Sequence, residues 1–159
     1  MVRVLFVCMG NICRSPISQG VFENVLRREG LEEEVFVDSA GTGNWHVGSP
    51  PDERAQRTAG LRGVDLGAQQ ARQISPEDCD DFDYVLTMDE ENYRTVSGLC
   101  RGRAVVRPFL DFAPDSPERE IPDPYHGGAE GFERVLDLVE AASEGLLEDI
   151  RGRHLTDRG

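Results

Sequence analysis

The sequence predicts an α/β protein, a three-layer α/β/α sandwich around a four-stranded parallel sheet. Short apolar runs alternate with segments of helical periodicity. The chain has 159 residues, the size of one ordinary domain, and 38% of them are hydrophobic, enough to bury a core. Because there is no internal repeat and no linker-like break, we expect a single domain over residues 1–159, with a polar tail from about residue 151.

The first predicted unit is a strand, a helix and a second strand. Residues 2–7 form a short apolar run, typical of a buried parallel strand. Apolar residues then recur at helical spacing from Ser15 to about Arg28, with Ser15 expected as the cap and Pro16 at the first helical position. A second apolar run at 35–39 completes the unit, whose crossover is right-handed if the strands are parallel.

Further strands and helices follow in alternation. The predicted elements are a helix at about 52–61, a helix beginning at 75, a strand at 83–88, a helix at 90–97 and a strand at 104–106. The final helix has the clearest apolar face: Phe132, Val135, Leu136, Val139, Ala142, Leu146, Leu147 and Ile150. Two glycine- and proline-rich loops lie at 41–51 and 111–128, and long loops in compact domains often carry function.

The charge balance limits the class of partner. With 17 basic and 30 acidic residues the chain has a net charge of −13, whereas proteins that bind nucleic acid present basic surfaces to the phosphate backbone. No apolar run approaches the roughly 18 residues that span a bilayer, and the N-terminal apolar run is too short for a signal peptide. We therefore expect a soluble cytoplasmic protein that binds neither nucleic acid nor membrane.

The cysteines and histidines show no metal-binding pattern. The cysteines lie at positions 8, 13, 79 and 100 without a CxxC pair, and the histidines at 46, 126 and 154 are scattered. We expect no metal and no cofactor. A disulfide framework is also not expected in a cytosolic chain of this size, which leaves a reactive thiol as the more informative hypothesis.

The segment VCMGNICRSP, residues 7–16, has the features of an anion-binding loop. Cys8 falls at the carboxyl end of the first strand, where open α/β sheets bind ligands. A short loop that leads into a helix N-terminus turns backbone N–H groups towards an anion, and Gly10 and Asn11 tolerate the positive φ values that such a loop needs. Helix N-termini also lower the pKa of a cysteine from about 8.5 to roughly 3.5–7.5. The same geometry would therefore bind an oxyanion and create a nucleophile.

Two further residues of this segment suit an oxyanion. Arg14 offers a planar guanidinium that binds two phosphate oxygens at once. The Ser15 hydroxyl can donate to a thiolate on Cys8 and favour the ionised sulfur. The predicted phosphate-binding loop, which follows the first strand, consists of Met9, Gly10, Asn11, Ile12, Cys13 and Arg14.

VCMGNICRSP resembles the signature loop of the low-molecular-weight protein tyrosine phosphatases. The similarity covers about residues 5–150 at matching spacings, through DSAGT at 38–42, ARQI at 71–74, FDYVL at 82–86, MD at 88–89 and IPDPY at 121–125. It implies an enzyme that hydrolyses phosphotyrosine and aryl phosphates, without a metal, through a cysteinyl-phosphate intermediate. The implied partners are phosphotyrosine-containing proteins, an autophosphorylating tyrosine kinase among them, and the implied state is a monomer or a weak dimer.

The resemblance also implies roles for individual residues. Cys8 would be the nucleophile, Arg14 the phosphate clamp, and Asp123 of the IPDPY motif the general acid and later the general base. The residues that would line the substrate pocket are Ile12, Trp45 and Tyr125. Those that would support the loop or the thiolate are Asn11, Ser15, Ser39 and Gln69.

Three positions bear on how this chain differs within the family. Gln69 stands where many members have a histidine that supports the loop asparagine, so we expect altered rather than lost support. His126 stands where a second tyrosine is common, which would change the rim of the pocket. Cys13 matches a second loop cysteine of several members, which would make it a redox partner that traps an oxidised Cys8 as a reversible disulfide.

Three alternative functions fit parts of the pattern. An arsenate reductase shares the fold and the oxyanion loop but needs two further cysteines close together, whereas Cys79 and Cys100 are 21 residues apart. A protein-arginine phosphatase resembles the loop but carries threonine at the position of Ile12, where an apolar side chain favours phosphotyrosine. A non-catalytic phospho-binding or phosphocarrier module would have no use for Asp123 as a general acid.

Overall fold

The computed structural model describes residues 1–125 and 127–155. Within them the chain forms four strands: β1 (Val2–Cys8), β2 (Val35–Gly41), β3 (Tyr84–Thr87) and β4 (Val105–Pro108). The helices are α1 (Arg14–Arg28), α2 (Glu53–Gly60), α3 (Asp78–Asp81), α4 (Glu90–Leu99) and α5 (Ala129–His154), with a 3₁₀ helix at Phe109–Phe112. This alternation confirms the predicted α/β class.

The sheet is fully parallel, in the strand order β2-β1-β3-β4. Cys8 at the end of β1 lies opposite Gly41 of β2, and Val7 lies opposite Thr87 of β3. Because parallel strands all end at the same edge, this register places the Cys8 thiol beside the ends of both neighbouring strands. That edge is where open α/β sheets bind ligands.

Two apolar layers cover the faces of the sheet, because successive side chains of β1 point to opposite sides. Phe6 and Cys8 belong to the larger cluster, to which α1 and α5 contribute most of the remaining side chains. Leu5 and Val7 belong to the smaller cluster on the other face, together with Val96 of α4. The result is the predicted three-layer sandwich.

α1 begins two residues earlier than expected, at Arg14 instead of Pro16, and is capped differently. Cys13, not Ser15, is the N-cap residue, and it makes no side-chain capping hydrogen bond. Pro16 is therefore the third helical residue, still within the first turn, where its missing N–H costs nothing. The Ser15 hydroxyl is engaged by the loop instead, with Oγ 3.0 Å from Cys8 Sγ.

α5 ends at His154, so the helix continues into the segment that was expected to form a polar tail from about residue 151. All eight residues of its predicted apolar face are buried. Its last turns are stabilised by an ion pair from Arg153 Nε to Asp149 Oδ1 at 3.0 Å, and Asp149 Oδ2 also accepts a hydrogen bond from the Tyr84 hydroxyl at 2.7 Å. Neither α5 nor any other helix in residues 1–125 and 127–155 is long and apolar enough to cross a membrane.

Cys79 and Cys100 form a disulfide, a pairing that the sequence did not predict. Cys79 lies in α3 and Cys100 follows α4, and their Cα atoms are 5.1 Å apart, within the range that a disulfide bridges. Both are buried in the smaller apolar cluster, which includes Leu5 and Val85. The sequence could not reveal the pair because 21 residues separate the two cysteines, and only the packing of α3 and α4 beside the sheet brings them together.

Two loops complete the edge of the sheet that carries the thiol. The loop after β2 is held by two backbone hydrogen bonds, from Gly48 N–H to the Ala71 carbonyl and from Ala71 N–H to the Ser49 carbonyl, each 2.8 Å. The loop after the 3₁₀ helix is anchored by Ile121, whose N–H donates to the Met88 carbonyl at 2.8 Å and whose side chain is fully buried.

Candidate active site

A pocket of about 300 Å³ opens at the carboxyl edge of the sheet. Its lining residues are Cys8, Met9, Gly10, Ile12, Cys13, Arg14, Trp45, His46, Asp123 and Tyr125. The structure thus brings together the three residues expected to carry the chemistry and the three expected to bind the substrate ring. His46 was not predicted as a site residue, and the only signal for it is its place directly after Trp45.

The Cys8 thiol is buried and receives hydrogen bonds from the loop. Its Sγ lies 3.0 Å from Ser15 Oγ, and the backbone N–H of Asn11 donates to it at 3.3 Å. Ser15 Oγ accepts a hydrogen bond from Asn11 Nδ2 at 2.8 Å, so its own hydrogen can be donated either to the sulfur, at 3.0 Å, or to the more distant Ala40 carbonyl oxygen, at 3.4 Å. Two donors therefore converge on the sulfur, as a thiolate nucleophile requires.

Asn11 holds the loop in a backbone conformation that few residues adopt. Its φ is +58°, in the left-handed region. Its amide nitrogen donates to Ser15 Oγ at 2.8 Å and to Ser39 Oγ at 3.0 Å, while its Oδ1 accepts from the backbone N–H of Arg72 at 3.0 Å. Ser39 in turn donates to Gln19 Oε1 at 2.8 Å. Because this network is buried and connected, it fixes the loop before a ligand binds.

Gln69 lies beside the first turn of α1 rather than beside Asn11. Its Nε2 donates to the carbonyl oxygen of Pro16 at 3.0 Å. Its Oε1 is buried without a hydrogen-bond partner in the described part of the chain. Gln69 therefore contacts the helix that follows the loop, and Arg72 supplies the contact to Asn11. The other departure from the family pattern, His126, lies outside the described residues.

Two further residues support the loop from the neighbouring segments. Gly41 at the end of β2 leaves room for it, since a Cβ there would lie 2.8 Å from the Met9 carbonyl oxygen. Arg72 pairs with Asp38 at 3.1 Å and with Asp78 at 3.0 Å, which fixes the backbone of the supporting segment. In the sequence, Gly41 and Arg72 belong to the DSAGT and ARQI motifs, but the sequence did not predict a role for either residue.

Arg14 is the permanent positive charge of the pocket, and its side chain is only 4% exposed. Its Nη1 donates to Asp89 Oδ2 at 2.7 Å and to the Ile121 carbonyl oxygen at 3.0 Å. Burial acts to lower the pKa of Arg14, but the negative charges on Cys8 and Asp89 more than offset it, and the pKa is raised. Asp89 was not predicted as a site residue. Its other oxygen caps α4 by accepting from Asn92 N–H at 2.8 Å.

Asp123 reaches the pocket from the loop that follows the 3₁₀ helix. Its Oδ2 lies 3.9 Å from Arg14 Nη2, and its Oδ1 accepts from the backbone N–H of Tyr125 at 3.0 Å. The Asp123 side chain is 41% exposed, so its carboxyl is accessible to water. Trp45 and Tyr125 are exposed where they line the pocket, and an aromatic group could pack against their rings.

Cys13 is a free, buried thiol that lines the same pocket. Burial first, and then the negative charges on Asp52, Cys8 and Asp123, raises the pKa of Cys13 to about 12. Cys13 is therefore a protonated thiol at neutral pH. It is not a second nucleophile in the resting site.

The remaining cysteines do not take part in the pocket. Cys79 and Cys100 belong to the smaller apolar cluster, whereas Cys8 and Cys13 belong to the larger cluster on the other face of the sheet. The bonded pair therefore offers no thiol relay to the loop. Within residues 1–125 and 127–155 there is also no group of three or more His, Cys, Asp or Glu side chains that could hold a metal ion.

Known proteins resemble this chain along almost its whole length. The model of the family described as low molecular weight phosphotyrosine protein phosphatase matches residues 3–155. The low molecular weight protein-tyrosine-phosphatase YfkJ of Bacillus subtilis is 41% identical over 153 residues, which cover 95% of this chain and 97% of that protein. The crystal structure of a protein tyrosine phosphatase from Entamoeba histolytica has a TM-score of 0.92 at 35% identity, over 96% of this chain and 98% of that one. A Drosophila arginine phosphatase has a TM-score of 0.86 at 28% identity, over 93% and 97% of the two chains.

Proposed function

Because the chain belongs to the low-molecular-weight phosphotyrosine protein phosphatase family and is a protein-tyrosine phosphatase, we propose that Cys8, Arg14 and Asp123 carry out its reaction through a cysteinyl-phosphate. The observation that carries this proposal is that the three side chains line one pocket. The thiol and the guanidinium are buried, while the carboxyl is 41% exposed, so a phosphate can bind inside and a proton can be delivered from the entrance.

In the first step, Cys8 Sγ attacks phosphorus, an S–P bond forms, and the bond from phosphorus to the aryl oxygen breaks. Arg14 and the loop N–H groups hold the three non-bridging oxygens as negative charge spreads over them. Asp123 gives its proton to the leaving oxygen, which would otherwise depart as a phenoxide. The ion pair with Asp89, at 2.7 Å, keeps the Arg14 fork in place throughout.

In the second step, the Asp123 carboxylate takes a proton from the water molecule that attacks phosphorus. The S–P bond breaks, inorganic phosphate leaves, and the thiolate is restored. The Ser15 hydroxyl, 3.0 Å from Sγ, donates to the departing sulfur and makes it a better leaving group. In this mechanism Arg14 and the loop N–H groups neutralise the charge for which many phosphoryl-transfer enzymes use a metal ion.

The pocket walls support phosphotyrosine and aryl phosphates as substrates. Trp45 and Tyr125 offer two aromatic surfaces to a phenyl ring whose phosphate reaches Cys8. Ile12 lines the same pocket and is the position at which protein-arginine phosphatases carry threonine. An apolar side chain there favours the phenyl ring over a guanidinium, although an arginine phosphatase of Drosophila shares the fold.

Hydrolysis of p-nitrophenyl phosphate by the purified chain tests the proposal. We expect activity with an acidic optimum, abolished in Cys8→Ser. Asp123→Ala should lower kcat by about 10²–10⁴-fold and leave inhibition by inorganic phosphate largely intact, because phosphate binds to the loop and to Arg14. An active Cys8→Ser protein would refute the mechanism.

Matched assays separate the alternative functions. Peptides of one sequence that carry either phosphotyrosine or phosphoarginine should be hydrolysed at different rates, with phosphotyrosine preferred. Arsenate should not drive the oxidation of thioredoxin, because Cys79 and Cys100 are bonded to each other away from the loop. Phosphate binding without any turnover would instead indicate a phospho-binding or phosphocarrier module.

The proposed setting is the cytoplasm, because a catalytic thiol works only while it is reduced. Burial of Cys79 and Cys100 shields their disulfide from attack by the thiols of the same compartment. The proposed partners are phosphotyrosine-containing proteins, including an autophosphorylating tyrosine kinase, and the proposed state is a monomer or a weak dimer. Affinity capture with Cys8→Ser or Asp123→Ala should retain tyrosine-phosphorylated proteins and release them on addition of phosphate.

A further inference from the structure

The loop that carries Asp123 is attached to the rest of the molecule on both sides of that residue. On the N-terminal side, the Ile121 carbonyl accepts from Arg14 Nη1 at 3.0 Å and the Ile121 N–H donates to the Met88 carbonyl at 2.8 Å. On the C-terminal side, the contacts come from Arg54 of α2. Among the described residues, the contacts given for the Asp123 carboxylate are a hydrogen bond from the N–H of Tyr125, at 3.0 Å, and a 3.9 Å ion pair to Arg14.

Arg54 contacts the C-terminal side of this loop at two residues, Gly127 and Tyr125, and also contacts α5. Its Nη1 donates to the Gly127 carbonyl at 3.4 Å, a long hydrogen bond. Its guanidinium carbon lies 5.4 Å from the centre of the Tyr125 ring and 5.0 Å from the centre of the Phe132 ring in α5. Both distances are within the roughly 6 Å over which a cation is attracted to an aromatic face.

The other contacts of Arg54 lead to the loop that carries Cys8. Its Nη2 and Nε bind the two oxygens of Asp52, at 2.9 Å and 3.1 Å, so the fork is fully paired. Asp52 also accepts from the Arg54 backbone N–H at 2.8 Å, which caps α2. The Asp52 N–H donates to the carbonyl oxygen of Ile12 in the phosphate-binding loop at 2.8 Å. Arg54 is therefore connected, through Asp52, to the loop of Cys8, and directly to the loop of Asp123.

We propose that Arg54 is a positioning residue that braces the loop of Asp123 against the loop of Cys8 and so sets the place of the proton donor. The proposal rests on the role of Asp123 as general acid given above. An ordinary surface ion pair would involve Asp52 alone and contribute little. The contacts with Tyr125 and Gly127, on the loop across the pocket, distinguish Arg54 from such a pair.

Two substrates with different leaving groups isolate this effect. Phenyl phosphate releases phenol, whose pKa is near the value of about 10 for tyrosine, and needs a proton more than p-nitrophenyl phosphate does. Both carry one aromatic ring, so any displacement of Tyr125 affects them alike. The variant is Arg54→Met, and the matched control is Arg57→Met, which removes the same charge from an exposed position on the same helix.

We expect Arg54→Met to lower kcat/KM for phenyl phosphate by roughly 10–100-fold, and for p-nitrophenyl phosphate by less than about threefold, because a misplaced acid costs most where the proton is needed most. Arg57→Met should match the wild-type protein. When Asp123→Ala is already present, adding Arg54→Met should not further change the ratio of kcat/KM for phenyl phosphate to kcat/KM for p-nitrophenyl phosphate. Inhibition by inorganic phosphate, which does not use Asp123, should be unchanged.

Equal losses on both substrates, the same loss in Arg57→Met, or a parallel loss of phosphate affinity would each overturn the assignment of Arg54. Those results leave the proposed function standing as long as Cys8→Ser is inactive and Asp123→Ala discriminates between the substrates. If Asp123→Ala lowers kcat/KM equally for both substrates, Asp123 is not the general acid, and the positioning role of Arg54 is then refuted as well.

Discussion

Asn11 is the residue on which the shape of the phosphate-binding loop most directly depends, because its φ of +58° is maintained by three side-chain hydrogen bonds. Two substitutions separate the contribution of the hydrogen bonds from the cost of the left-handed backbone conformation. Asn11→Gly removes the bonds but tolerates the backbone conformation, whereas Asn11→Ala removes the bonds and adds about 1–2 kcal/mol of left-handed strain. We expect both to lower kcat, and Asn11→Ala to be the less stable in urea unfolding by about that difference. Equal stabilities would show that the loop relaxes to negative φ without the side chain.

Cys13 sets the pH dependence of any protective disulfide in the loop. If Cys8 is oxidised to a sulfenic acid, condensation with the Cys13 thiol forms the disulfide and releases water. Only the Cys13 thiolate attacks, and its pKa is raised to about 12 by burial and by neighbouring charges, Cys8 among them. A neutral sulfenic acid at Cys8 no longer raises the pKa of Cys13 through its charge, but burial still raises it. We therefore expect the disulfide to form about tenfold faster for each unit of pH between 6 and 8.

Mass spectrometry of samples quenched after one equivalent of peroxide measures this rate. In Cys13→Ser the disulfide cannot form, and activity lost to peroxide should no longer return on addition of a thiol. Unchanged recovery in Cys13→Ser would rule out Cys13 as the redox partner. A rate that does not vary with pH would show that deprotonation of Cys13 does not limit the reaction.

The site residues that local sequence could predict are those of one segment. Cys8, Arg14 and Ser15 lie within eight positions, where a strand end and a helix start fix their relation. Asp89 could not be predicted in this way, because it contacts Arg14 across 75 residues and appears in the sequence only as a member of the MD motif at 88–89. Arg54 was missed for the same reason, since its partners on the loop across the pocket are distant in sequence.

At the scale of elements, the close contact between α5 and the 3₁₀ helix depends on Gly145. A Cβ on this residue would overlap the backbone carbonyl oxygen of Phe112, whereas a Cβ on Gly152 of the same helix would meet no atom of another described residue within 4 Å. Alanine favours helix over glycine by up to about 1 kcal/mol. We expect Gly152→Ala to stabilise the protein by up to that amount, and Gly145→Ala to destabilise it by about 1–3 kcal/mol or more through the clash. Urea unfolding measures both changes in stability. Changes of the same sign in the two variants would contradict the close contact between Gly145 and Phe112.

The Cys79–Cys100 disulfide joins α3 to the end of α4 and closes a loop of 21 residues. A cross-link of this length removes about 3 kcal/mol of conformational freedom from the unfolded chain. We expect the double variant Cys79→Ser, Cys100→Ser to lose about that much stability in urea. A phosphine reductant should lower the wild-type protein to the same midpoint and leave the variant unchanged. If the urea midpoint of the wild-type protein is the same with and without the reductant, the disulfide is absent in solution.

The strands and the long helices could be predicted because their patterns are complete. A buried parallel strand such as β1 is a continuous apolar run, and α5 repeats its apolar positions over about five turns, from Phe132 to Ile150. α3 and the 3₁₀ helix have four residues each, too few for a period to be recognised. The ends of elements also depended on tertiary contacts. Ser15 is an ordinary cap by type, but its hydroxyl is engaged by Cys8.

At the scale of the whole molecule, the charge of the surface opposes the charge of the site. The net charge is −13, while the pocket contains Arg14, which is buried and therefore little screened by salt. The molecule should thus repel acidic phosphopeptides at a distance and bind the phosphate itself only at contact. Selectivity among phosphopeptides would then depend on flanking charge as well as on the phosphorylated ring.

Salt tests this view with two peptides that share one phosphotyrosine core and differ only in flanking residues, glutamate in one and arginine in the other. Raising ionic strength from about 0.01 M to 0.1 M shortens the screening length from about 30 Å to 10 Å. We expect kcat/KM to rise for the acidic peptide and to fall for the basic one, with kcat unchanged, because only the long-range approach is screened. The response of p-nitrophenyl phosphate, which has no flanking charge, corrects for competition by the salt anion at Arg14. If kcat/KM for both peptides changes with ionic strength as it does for p-nitrophenyl phosphate, the surface charge has no part in selectivity. The pocket alone then determines which peptide is preferred.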